Sequence, residues 1–159
     1  MLRPIAIGLV LASLLALPAT AQNFQRGLAA ADIGDYVTAM QDWRPLAARG
    51  HARAQYNVGF MYEEGRGIPQ DLVESAKWYR KAAGQGYVDA QRSLGLKYEF
   101  GLGVPQDYVL AHMWYNLAAA GGDQPSAKAR DTLAKRITPA QIAKAEKLVR
   151  EWWAKHKNK

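Results

Sequence analysis

Residues 54–86 read AQYNVGFMYEEGRGIPQDLVESAKWYRKAAGQG and residues 90–122 read AQRSLGLKYEFGLGVPQDYVLAHMWYNLAAAGG. Laid over each other without a gap, they agree at 16 of 33 positions, so the chain carries a tandem repeat of period 36. The agreement includes Ala54/Ala90, Gln55/Gln91, Gly59/Gly95, Tyr62/Tyr98, Glu63/Glu99, Gly65/Gly101, Gly67/Gly103, Asp71/Asp107, Trp78/Trp114, Tyr79/Tyr115 and Ala82/Ala118. Each copy holds a Gly-x-Gly, and the question is whether it cradles a ligand or joins two helices.

The letters around the loop favour a joint. Ala54, Val58, Met61 and Tyr62 recur at three- and four-residue spacing, which predicts a helix from Ala54 to Glu64. Gly65 stops it, and Asp71 with Glu74 three residues on is a capping-box pattern for the next helix. That helix carries Leu72, Val73, Ala76, Tyr79, Ala82 and Ala83 and ends near Gly84. In the second copy Leu110 replaces Glu74, leaving Asp107 as the cap. A phosphate loop would need a preceding strand and a Lys-Ser or Lys-Thr after the glycines; here a helix precedes and Ile68-Pro69 or Val104-Pro105 follows. Each copy therefore reads as a helical hairpin.

A degenerate unit lies upstream, where Asp35-Tyr36-Val37 aligns with Asp71-Leu72-Val73 and Gly50 with Gly86. Its first helix is expected at Phe24 to Ile33, and it lacks the long Gly-x-Gly loop, as terminal repeats often do. Downstream, one helix is expected from Ser126 to Arg136. Another runs from Pro139 to about Lys155, capped by Thr138 and Gln141, with Ile142, Ala145, Leu148, Val149 and Trp152 on one stripe. The expected architecture is all-α, a solenoid of stacked antiparallel hairpins built from eight helices. Mid-helix Gly59 and Gly95 predict close helix approach, with Trp78/Trp114 and Tyr79/Tyr115 as the large residues opposite.

The first 21 residues, MLRPIAIGLVLASLLALPATA, read as a signal peptide: Arg3, an apolar run too short to span a bilayer, then Ala19-Thr20-Ala21. Beyond it lie residues 22–159 with no further spanning run, no cysteine, and 20 basic against 14 acidic residues, a net +6. The absence of cysteine excludes thiolate metal sites and thiol chemistry. The positive balance favours acidic surfaces. No nucleic-acid module is present, and the basic tail 155–159 reads as a solvated end.

The pattern resembles the Sel1-like repeat proteins, relatives of the tetratricopeptide class. The first copy matches as Ala54, Val58, Gly59, Tyr62, Gly65, Gly67, Ile68, Asp71, Ser75, Trp78, Tyr79, Ala82, Ala83 and Gly86. The second matches as Ala90, Leu94, Gly95, Tyr98, Gly101, Gly103, Val104, Asp107, Ala111, Trp114, Tyr115, Ala118, Ala119 and Gly122. The resemblance implies a stacked-hairpin scaffold or adaptor: residues 22–50 a degenerate N-terminal hairpin, 52–86 and 88–122 the repeats, 123–159 capping helices. With the leader and the closing helix it also implies a small exported bacterial member, periplasmic or secreted, with a protein or peptide partner in the cell envelope, or an acidic surface or cell-wall polymer.

Catalytic sets are not legible. His51, His112 and His156 sit in different units without HExxH or other metal-ligand spacing, so no metal or cofactor is expected. No Ser-His-acid set emerges from Ser75, Ser93 and Ser126. Glu63-Glu64 is adjacent on a helix, keeps one carboxylate in the second copy, and reads as a solvated helix end. The alternative to a scaffold is a peptidoglycan- or β-lactam-interacting protein or hydrolase; the relatives linked to β-lactams are cysteine-rich, unlike this chain. Where the copies differ, on the first helices, is where binding is expected: Tyr56, Asn57 and Phe60 with Arg92, Ser93 and Lys97. The loop pairs Arg66/Leu102 and Glu64/Phe100 are the other expected seat of specificity. Of Trp152 and Trp153, one is expected inward and the other as a contact.

Overall fold

A computed structural model describes residues 19–156. Among them are eight helices: α1 (Ala19–Asp32), α2 (Tyr36–Ala48), α3 (Ala52–Glu64), α4 (Leu72–Ala83), α5 (Val88–Phe100), α6 (Tyr108–Ala120), α7 (Gln124–Ala134) and α8 (Pro139–His156). The described residues form no strand. The expected leader lies outside the described residues, apart from Ala19, Thr20 and Ala21 in the first turn of α1.

Sequential helices pair as hairpins α1–α2, α3–α4 and α5–α6, and each second helix packs on the first helix of the next unit. α8 departs from this order and packs on α6. The core has two parts. Phe24, Trp43, Leu46, Val58 and Met61 close around α1–α3, and Tyr79, Leu94, Trp114, Tyr115, Leu117 and Leu133 fill the space from α4 to α8. Trp114 is buried, whereas Trp78 is only partly so, with Lys81 over its ring.

The caps follow from short polar side chains. Asp71 accepts from the amides of Val73 and Glu74 at 2.9 Å, and Asp107 does the same for Val109 and Leu110. The reciprocal half of the expected box at α4 is not made, because Glu74 turns to Lys77. At α8 it is complete: Gln141 N–H donates to Thr138 Oγ1, and Thr138 N–H donates to Gln141 Oε1 at 2.8 Å. α7 begins two residues earlier than its expected start because Asp123 caps it, accepting from the Ser126 amide.

Candidate functional site

The repeated letters build one joint three times. A Cβ on Gly59 would stand 2.8 Å from the Tyr79 ring, and one on Gly95 would stand 2.4 Å from Tyr115. No larger residue fits without displacing the aromatic ring, which is why a helix breaker sits mid-helix. The first unit keeps the device with a shorter loop: Gly27 lies against Trp43, the residue 36 before Tyr79. Sequence reading missed Gly27; its spacing from Trp43 is 16, against 20 in the other units.

Each of the two tyrosines then ties back to a glutamate of its first helix, and that glutamate reaches forward beyond the unit. Tyr79 donates its hydroxyl proton to Glu63 Oε2 at 2.6 Å, and Lys97 Nζ donates to Glu63 Oε1 at 2.9 Å. Tyr115 donates to Glu99 Oε2 at 2.8 Å, and Arg136 donates to Glu99 Oε1 at 3.1 Å. Burial, reinforced by the neighbouring carboxylates, pushes both tyrosines well above their usual range. The reading of Glu63-Glu64 as a solvated helix end is therefore corrected for Glu63, which is a tie between units.

Three more identities close the joints. Gln55 and Gln91 donate to the carbonyls of Ala47 and Ala83, at 3.0 and 3.3 Å. Each carbonyl already accepts a loop amide, Gly50 N–H or Gly86 N–H at 3.0 Å, and the glutamine adds a bond from the next unit. Gln70 and Gln106 donate to Glu63 and Glu99 carbonyls at 2.7 Å. Gly67 and Gly103 adopt φ of 70° and 74°. A Cβ there would strike the backbone of Tyr36 or Leu72, at 2.6 and 2.1 Å, so each loop rests on the start of the preceding unit's second helix. Arg66 reaches Tyr36 the same way, its guanidinium 5.2 Å from the ring centroid and bonded to the hydroxyl. Arg136 treats Tyr108 alike. The Arg66/Leu102 difference therefore answers the Tyr36/Leu72 difference inside the stack.

The residues expected to bind a partner divide. Tyr56, Asn57 and Phe60 line one cleft of about 310 Å³ with Leu28, Ala31 and Asp32 of α1. Arg92 lines a second of about 150 Å³ with Leu96, Pro125 and Ala129. The two clefts are related by the repeat, since positions 56 and 60 become 92 and 96. Arg92 does not stand free: it bonds Asp123 at 2.9 Å and Asp89 at 3.2 Å. Burial alone would raise Asp123, but bonds from Ser126 and Arg92 outweigh it and hold it below the usual carboxylate range. Ser93 is half-buried and turned toward Tyr79. Lys97 is a correction. Its side chain is 1% exposed, because it occupies the inward place that Met61 holds in the first copy. It cannot meet a partner. Trp152 packs inward and Trp153 stays 44% exposed.

Among the described residues no group of His, Cys, Asp and Glu is placed to hold a metal ion. No described helix is long and apolar enough to cross a membrane. His51 caps α3 through Nδ1, and His112 is buried on α6.

Fold and joints together define a stacked-hairpin α-solenoid. The Sel1 repeat model matches residues 52–87 and 88–123. A solved Sel1 repeat protein from Oxalobacter formigenes is 36% identical, with a TM-score of 0.66 over 72% of this chain and 89% of that one. The chain belongs to the Sel1 repeat family. A protective antigen of uropathogenic Escherichia coli superposes with a TM-score of 0.80 at 31% identity, over 85% of this chain and 30% of that one. Among curated proteins, DAP3-binding cell death enhancer 1 is similar. The rat protein is 46% identical over 43 residues and the mouse protein 51% over 39, in each case 8% of that protein's length and about a quarter of this chain. These curated relatives are mammalian. On that finding the placement as a small exported bacterial member, periplasmic or secreted, is corrected, and with it the cell-envelope setting of the partner. What stands is a helical-repeat scaffold of a kind that mediates protein–protein contacts.

Proposed function

We propose that this scaffold binds a protein or peptide segment along its first-helix face, which is the concave face of a stacked-hairpin solenoid. The observation that carries this is a separation of roles. The residues identical between copies are consumed by the joints: Gly59/Gly95, Glu63/Glu99, Gln55/Gln91 and Gly67/Gly103. The cleft-lining residues Tyr56, Asn57 and Phe60 differ from their counterparts Arg92, Ser93 and Leu96. A scaffold that keeps its joints and varies its grooves presents a surface specific to one partner.

The cleft beside α1 is the primary seat. Tyr56 packs on Tyr79 and Tyr87 with ring centroids 5.4 and 5.2 Å away, which fixes its orientation before a partner arrives. Asn57 is half-buried beside it. The test fills the cleft without touching a joint. Asn57→Trp is expected to weaken partner capture at least tenfold or so, the scale of a buried interface contact, while the melting temperature holds. Undiminished capture by a folded Asn57→Trp protein would remove this cleft from the account. Arg92→Glu is a poor probe, since it sets a third carboxylate beside Asp89 and Asp123.

A further inference from the structure

Charge is unevenly shared along the chain. Residues 19–123 carry ten Lys or Arg against eleven Asp or Glu, whereas residues 124–156 carry eight against three. The positive excess of the described residues thus belongs to α7, α8 and their loop. On α8, Lys144, Lys147, Arg150 and Lys155 are all exposed. Among them only Lys147 faces a carboxylate, Glu151, at 3.9 Å.

At the end of this basic helix lies a cavity of about 450 Å³, bounded by Gly86, Val88, Leu117, Trp152, Trp153 and His156. Trp152 and Trp153 meet edge to face, centroids 4.9 Å apart, and His156 stacks on Trp152 at 3.9 Å. Both His156 ring nitrogens stand 2.7 Å from carbonyl oxygens, those of Trp152 and of Gly84 in the α4–α5 loop, so the wall is fastened to a neighbouring unit. The Trp152 indole nitrogen is buried without an acceptor. This region is separate from the first-helix clefts, with which it shares no lining residue.

We infer that the α8 end is a second docking site, and that its occupant is an acidic segment of a partner protein carrying one bulky apolar side chain. Carboxylates would run along Lys144, Lys147, Arg150 and Lys155, and the apolar side chain would enter the cavity against Trp153. Charge complementarity sets the sign of the partner. The recess argues for a peptide over a membrane. α8 turns Ala145, Leu148, Val149 and Trp152 against the stack, so its apolar stripe is engaged by the core and not offered as a continuous face to a bilayer.

The experiment is fluorescence anisotropy with labelled short peptides of Asp and Glu bearing a central Leu, the same peptide with Ala in place of Leu, a Lys counterpart, and vesicles of anionic lipid. The Leu peptide is expected to bind about tenfold tighter than the Ala peptide, the scale of burying one such side chain, and to weaken as salt is raised. Joint replacement of Lys144, Lys147 and Arg150 by Glu is expected to abolish binding. Trp153→Ala is expected to erase the preference for Leu, and Asn57→Trp to change nothing. A measurement without variants accompanies these: the indole N–H resonance of Trp153 moves on titration and that of buried Trp43 does not. Equal affinity for the Leu and Ala peptides overturns the proposal. So does binding of the Lys peptide, or of vesicles but not peptide, binding that survives the Glu replacements, or loss of binding in Asn57→Trp.

Discussion

Gly95 is held by the ring of Tyr115. Replacing a mid-helix glycine with alanine ordinarily gains up to about 1 kcal/mol of helix propensity. Here the added methyl would lie 2.4 Å from the ring, closer than any real contact. Overpacking of this kind costs about 1–3 kcal/mol, so Gly95→Ala is expected to lower stability, read as an earlier midpoint in urea. His112 supplies a second residue-scale test. Burial, with Arg130 nearby, lowers its pKa below the ordinary 6.5 even though Glu146 and Asp131 oppose this, and its Nδ1 has no partner. The unfolded chain therefore binds this proton more readily than the folded one. Stability contributed by neutral His112 is full above about 6.5 and is lost as pH falls through that value toward the lower folded one. The melting temperature of wild type is expected to drop as pH falls below about 6.5, and that of His112→Leu to drop less; equal pH dependence in the two proteins would show that His112 is not responsible. Lys97 shows where a single residue misleads: lysine reads as surface, and only its register with Met61 places it inside.

Hairpins and loops were largely legible, because period and pattern specify elements. The stripes at Ala54, Val58, Met61 and Tyr62 and the caps at Asp71, Asp107 and Thr138 stand where spacing put them. What spacing could not show is what a loop touches. Gly67 and Gly103 read as turn residues, yet they also admit the backbone of the preceding unit. This separates two glycines of similar conformation. Gly122 has φ of 96° and open space around it, whereas Gly103 has φ of 74° and the Leu72 carbonyl 2.1 Å from where a Cβ would be. Gly122→Ala is expected to cost only the strain of a left-handed backbone, about 1–2 kcal/mol. Gly103→Ala is expected to cost clearly more, and to increase amide exchange at the start of α4, where the two units would part. Equal losses would show that the loop is not a seat for its neighbour.

At the scale of the molecule, period 36 yields a stack in which the same Tyr–Glu pair closes both repeat hairpins and a basic side chain, Lys97 or Arg136, links each glutamate to the next element, with α8 turned back over α6. The binding faces were less legible than the joints, because a groove exists only once two helices from different units lie side by side. Tyr56, Asn57 and Phe60 meet Leu28 and Ala31 across 25 or more residues of sequence, and no local pattern signals it. The central claim is that a partner lies in the first-helix groove while the joints serve architecture. Photo-crosslinking tests it most directly, with the reactive group placed in turn at Asn57, at Leu96 in the second cleft and, as a control on the exposed face of α4, at Lys77. The account predicts that positions 57 and 96 capture the same partner and that position 77 does not. Capture of that partner from Lys77, with none from Asn57 or Leu96, would contradict it.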